Sequence, residues 1–161
     1  MVDLRVARES DLDAIRVLQR ESILAIGEDS YTAGQTRAWA DWQEADARTL
    51  LAQGGEVLVG KGDTGLVCMG GWRPDAADPT VAWIRSVFVS PRVARRGYGA
   101  QVMTGLERSC AGSGRTTLNL FASVNARQFY ERLGYRSLSV ESWTAASGVE
   151  LGAIRMMKVL R

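Results

Sequence analysis

The sequence predicts an α+β (mixed α/β) fold: one domain over residues 1–161, on a mixed, mostly antiparallel sheet of six to seven strands with helices on both faces. Three observations predict it. Strand-like apolar stretches recur along the whole chain. Stretches with helical apolar spacing are interleaved with them. Some neighbouring strands are joined by short turns and others by a whole helix, which mixes hairpins with crossovers in one sheet. With 161 residues, 46% apolar and 24% charged, the chain is long enough to bury one sizeable core.

The elements follow in order. "VDLRVAR" alternates apolar and polar residues, a strand over about residues 2–7. Ser10 with Asp13 resembles a capping box, and Leu12, Ile15, Leu18 and Ile23 form a helical stripe running to about Ile26. "GEDSYTAGQ" reads as a loop. A second helical region carries Ala38, Trp39 and Trp42, with another turn or two around "ARTLLAQ" before Gly54 and Gly55 break it. "EVLVGK", "TGLVCMGGWRP" and "TVAWIRSVFV" are three successive strands, the first two joined by a "KGDTG" hairpin turn. Val102, Met103, Leu106 and Cys110 follow helical spacing until "GSGR". "TTLNLFAS" is a strand, and "NARQFYERLGY" a short helix stopped by Gly134. "RSLSVESWT" and "VELGAIRMMKVL" close the chain as strands around "AASG". Trp72 and Trp143 read as sheet core, Cys110 as packed, and only one of Met156 and Met157 can face inward.

Composition narrows the function. A net charge of only +2 gives no general argument for nucleic acid, and none is expected as a partner, while Arg92, Arg95 and Arg96 cluster as if for a small anion. The chain has no histidine, so the commonest metal ligand and general base is missing. Cys68 and Cys110 lie far apart without metal or disulfide spacing. We therefore expect no metal and a reduced, cytoplasmic setting. No apolar run approaches the roughly 20 residues of a membrane span, and the N-terminus lacks a signal-peptide layout.

The most informative stretch is "SPRVARRGYGAQVM", residues 90–103, directly after a strand. A glycine-rich turn entering a helix presents free backbone N–H groups at the positive end of the helix dipole, which suits a phosphate. Gly97 and Gly99 allow close backbone approach, and Arg95 and Arg96 add charge. The stretch lacks the P-loop lysine, and valine occupies the third glycine position of the dinucleotide fingerprint. On these residues alone, a diphosphate cradle and a tight turn with solvated arginines both stay open. A second stretch, "SVNARQFYERLGY", follows the next strand. It places Asn125 at a strand end and Tyr130 on the short helix five residues on.

Together the two stretches resemble the GNAT superfamily of acetyl-CoA-dependent N-acetyltransferases. The family's [RQ]xxGx[GA] reads Ala94-Arg95-Arg96-Gly97-Tyr98-Gly99, with alanine at the first position. The family's "N-A-x-x-F-Y-x-x-x-G-[FY]" is matched at every named position from Asn125 to Tyr135. The resemblance covers nearly the whole chain as a single GNAT-like domain. It implies that the fourth and fifth strands splay to admit the pantetheine arm, with backbone groups of Val87, Phe88 and Val89 along it. Amides of Arg95, Arg96, Gly97, Tyr98, Gly99 and Ala100 would hold the pyrophosphate, Asn125 would bond the pantetheine, and Tyr130 would protonate the leaving thiolate.

Many relatives carry a glutamate early on the fourth strand. This chain has Trp83, Ile84 and Arg85 there, leaving the base to Glu28, Asp29 or a water relay. Alternation puts Trp83, Arg85, Val87 and Val89 on one strand face. Arg85 then either holds an anionic group of the acceptor or pairs with a nearby carboxylate. Tyr31 and Trp39 would shape the acceptor pocket, although Trp39 and Trp42 also have the spacing of helix-packing residues. The implied activity is transfer of acetyl from acetyl-CoA to a primary amine of a small molecule or peptide by direct attack in a ternary complex. The alternative is a catalytically inactive acetyl-CoA-binding regulatory or interaction module. A covalent enzyme intermediate is disfavoured, since neither cysteine has a histidine to activate it. Edge strands at the C-terminus could pair two copies into a homodimer.

Overall fold

The computed structural model describes the backbone of residues 1–161 and the side chains of all but residues 44–47. The order is β1 (Leu4–Val6), α1 (Leu12–Leu24), α2 (Ala33–Ala52), β2 (Glu56–Gly62), β3 (Gly65–Pro74), β4 (Val81–Val89), α3 (Tyr98–Gly112), β5 (Thr117–Ser123), α4 (Arg127–Arg132), β6 (Arg136–Thr144) and β7 (Glu150–Val159). The strands form one seven-stranded sheet in the order β1-β2-β3-β4-β5-β7-β6. Every neighbouring pair is antiparallel except β4 and β5, which run parallel because α3 carries the chain back across the sheet.

Two cores lie on opposite faces of the sheet, as the helical stripes require. Val102, Met103, Leu106 and Cys110 of α3 pack with Ala82, Ile84, Leu118, Leu120 and Met156. Leu12, Ile15, Leu18 and Ile23 of α1 and Ala40 and Leu50 of α2 pack with Val57, Val59, Met69 and Phe88. Gly70 fixes how closely α3 can sit. A Cβ there would come within 2.7 Å of Val102 Cγ1 and 2.9 Å of Leu106 Cδ1. Met156 is buried and Met157 only partly so, as strand alternation requires.

Two local expectations change. The Ser10–Asp13 capping box does not form. Instead, the Asp11 carboxylate accepts from the Arg8 amide at 2.7 Å and from the Arg5 guanidinium at 2.7 and 2.8 Å, closing a 3-10 turn ahead of α1. The capping box occurs at α2. Thr32 Oγ1 accepts from the Gln35 amide at 3.1 Å, and Gln35 Oε1 accepts from the Thr32 amide at 2.9 Å. The second helical region is one 20-residue helix from there to Ala52.

Candidate active site

The site begins where a strand pair ends. β4 and β5 are in register only at Val81–Thr117, Ala82–Leu118 and Trp83–Asn119. Beyond Trp83 the two strands diverge, and an open cleft of about 650 Å³ occupies the gap, within the range of small-molecule sites.

A bulge in β4 shapes its wall. Met69 faces Phe88 and Gly71 faces Arg85, so Gly70 of β3 opposes both Ser86 and Val87. Ser86 has φ 56°, a left-handed conformation unusual for serine. Its Oγ accepts from Gln43 Nε2 of α2 at 3.1 Å. The extra residue reverses the inside–outside phase of the strand. Contrary to simple alternation, Trp83 and Arg85 do not share a face with Val87 and Val89. Val87 and Val89 join Ala82 and Ile84 on the α3 side, while Phe88 enters the α1–α2 core.

Val87, Phe88, Val89, Asn125 and Tyr130 all line the cleft. Tyr130 is buried, with its ring edge-on to Phe129 and Tyr135 at 5.0 and 5.8 Å. Burial pushes its phenol well above the ordinary tyrosine value, so the group keeps its proton at neutral pH. Among the described residues its hydroxyl has no hydrogen-bond partner. Asn125 is exposed in the single 3-10 turn between β5 and α4.

Residues 95–100 stand at the start of α3. Gly97 is the N-cap at φ 83°, preceded by Arg95 at φ 65°. The first intrahelical bond runs from the Gln101 amide to the Gly97 carbonyl at 3.0 Å. The amides of Tyr98, Gly99 and Ala100 therefore have no helical acceptor. Arg95, Arg96 and Gly97 are exposed. Gly99 has a packing reason as well, because a Cβ there would meet the Phe129 ring at 3.1 Å and Val89 Cγ2 at 3.5 Å.

The opposite wall is aromatic. Tyr31, Trp39 and Trp83 line the cleft, and Arg85 lies beside them, donating to Gln53 Oε1 at the end of α2. Trp83 stacks on Phe121 with centroids 5.4 Å apart, and the guanidiniums of Arg73 and Arg155 lie 5.5 and 5.6 Å from its ring centre. Trp143 is a cleft residue rather than sheet core, 5.3 Å from Trp42 and 6.2 Å from Trp39. Glu28 and Asp29 are exposed and lie outside the lining, which takes Ile26 and Tyr31 from that loop instead. Among the described lining residues the one carboxylate is Glu141 of β6. Sequence reasoning missed it. Alternation groups Glu141 with Trp143 on one face of β6 but cannot say which face meets the cleft. The buried thiols of Cys68 and Cys110 are held above the ordinary range by burial, to about 11 and about 12.

The acetyltransferase (GNAT) family model matches residues 12–135, more than half of the chain. The chain belongs to the GNAT family. Solved structures agree on the fold of this GNAT domain. A GCN5-related N-acetyltransferase from Rhodopseudomonas palustris superposes with a TM-score of 0.86 at 23% identity, covering 99% of this chain and 96% of that one. The PaiA N-acetyltransferase from Thermoplasma acidophilum, in complex with coenzyme A, gives 0.77 at 15% identity over 99% of both chains. A ribosomal-protein-alanine N-acetyltransferase from Brucella melitensis gives 0.68 at 18%, covering 99% of this chain and 100% of that one. No curated protein matches the GNAT domain described here. Among the described residues no helix is long and apolar enough to cross a membrane, and no group of three or more metal-ligating side chains occurs.

Proposed function

We propose that this GNAT domain transfers acetyl from acetyl-CoA to a primary amine of a small molecule or peptide, by direct attack in a ternary complex. One observation carries the reading. The gap opened by the end of β4–β5 pairing brings Val87–Val89, Asn125 and Tyr130 onto one cleft, with the free amides of α3 following from the same strand.

In this reading the amides of residues 95–100 hold the pyrophosphate at the α3 N-terminus, and Arg95 and Arg96 add charge. Backbone groups of Val87, Phe88 and Val89 align the pantetheine and present a donor to the oxyanion that forms on attack; losing one such donor typically costs ~3 kcal/mol. Asn125 bonds the arm from across the gap. Tyr130, kept protonated by burial, gives its proton to the departing thiolate. Tyr31, Trp39, Trp83 and Arg85 bound the acceptor side. The bound thioester supplies the acetyl group; the chain supplies position, hydrogen bonds and that proton, while the proton lost by the attacking amine leaves through water and one proton returns to restore the Tyr130 phenol.

Free-thiol release from acetyl-CoA, measured across polyamines, amino acids, aminoglycosides, arylalkylamines and peptide N-termini, tests the proposal. Amine-dependent release supports it. Tight acetyl-CoA binding without release for any amine would favour a non-catalytic acetyl-CoA-binding module.

A further inference from the structure

We infer that the acceptor carries a second positive charge and that Glu141 recognises it. The inference rests on the acetyltransferase reading above and adds a substrate class to it. Glu141 pairs in register with Ala153 of β7, and Ala153 with Ser123 of β5. All three line the cleft, in one row across the sheet. The small Ala153 leaves room between the two ends of that row. Ser123 leads directly into the turn bearing Asn125 and the helix bearing Tyr130. The reacting nitrogen belongs at that end.

Glu141 stands two strands away, about 10 Å at ordinary strand spacing. It is too far to serve the reacting nitrogen directly and well placed for a cation roughly 5–8 Å further along the acceptor, once its own reach is subtracted. Its carboxylate is exposed and among the described residues has no hydrogen-bond or ion-pair partner. The nearest in-register arginine, Arg155 opposite Ser139, lies over the Trp83 ring instead. Trp143, two residues along the same face, packs against Trp42 and supplies π surface for a cation and its methylene body. A carboxylate flanked by tryptophan selects an ammonium over a neutral alkyl end.

The test uses matched probes with the whole chain: 1,4-diaminobutane against butylamine, and 1,5-diaminopentane against pentylamine, followed by thiol release from acetyl-CoA. Wild-type protein should use each diamine at least about tenfold better in kcat/KM. Glu141→Gln, isosteric at an exposed position, should remove most of that preference through KM for the diamine rather than kcat. Glu141→Asp should retain part of it. Equal use of diamine and monoamine by the wild type, or a preference that survives Glu141→Gln, overturns the inference while leaving acetyl transfer intact. Absence of thiol release with every amine of the wider panel overturns the acetyltransferase reading, and this inference with it.

Discussion

The Tyr31 hydroxyl donates to the Gly152 carbonyl at 2.7 Å and accepts from the Val124 amide at 2.9 Å. One phenol from the loop after α1 thus ties β7 to the turn that carries Asn125. Tyr31 is 4% exposed, so its loss leaves two backbone groups short of a partner. We expect Tyr31→Phe to destabilise the fold by about 2 kcal/mol, a fall in Tm of roughly 4–8 °C, and to raise KM for acetyl-CoA several-fold through Asn125. Thermal unfolding and initial rates check both. An unchanged Tm would mean these bonds contribute nothing net.

Tyr130 lines the cleft, and burial holds its phenol above the ordinary value. Tyr130→Phe should lower kcat at least about tenfold while leaving acetyl-CoA affinity nearly unchanged, because only the proton is removed. The direction of the shift adds a second test. A phenol titrating above pH 10 stays protonated across the neutral and mildly alkaline range, so no loss of kcat between pH 7 and 9 should trace to Tyr130. Unaltered turnover in Tyr130→Phe would remove it from the mechanism.

Much of this was legible in the sequence, for physical reasons. Helical stripes such as Val102, Met103, Leu106 and Cys110 announce the face they bury, and that face is the one packed. Asn125 and Tyr130 sit on one short turn and helix, so local spacing fixes their relation. The opposite wall was only partly legible. Tyr31, Trp39, Trp83 and Arg85, singled out from the sequence, line it, whereas Glu141 and Trp143 reach it through strand register, Glu141 opposite Ala153 and Trp143 opposite Leu151. Register depends on which strands become neighbours. The bulge at Ser86 escaped because nothing in "IRSVF" signals a left-handed serine. It depends on Gln43, 43 positions away, and on the spare place opposite Gly70.

The Arg5–Asp11 pair makes an acid-stability prediction. The Arg5 guanidinium and then the Arg8 amide hold the Asp11 carboxyl at about 2, against an ordinary 3.8. A carboxyl depressed in the folded state adds stability that is present above pH 4 and fades as pH falls from about 4 to 2. Asp11→Asn should cost about 1 kcal/mol near pH 7, after discount for the solvent screening a guanidinium that is 38% exposed. The cost should shrink to a small remainder at pH 2, where the folded carboxyl is half protonated. Denaturant titrations of both proteins at pH 7, 4 and 2 measure the convergence. A difference that stayed constant with pH would assign the cost to something other than ionisation.

Gly99 and Phe129 make a prediction that separates packing from ligand binding. A Cβ at Gly99 would sit 3.1 Å from Phe129 Cζ and 3.2 Å from Cε2, a contact that the ring must yield to accommodate. Gly97 has open space around it but a φ of 83°. Gly97→Ala should therefore cost about 1–2 kcal/mol from backbone conformation alone. Gly99→Val should cost about 1–3 kcal/mol from overpacking, with or without acetyl-CoA present. Adding Phe129→Ala vacates the space, so the double variant should be more stable than the sum of the two single effects predicts. Chemical denaturation of the four-protein cycle measures that coupling. Strict additivity would place the reason for Gly99 in the ligand cradle rather than against the ring.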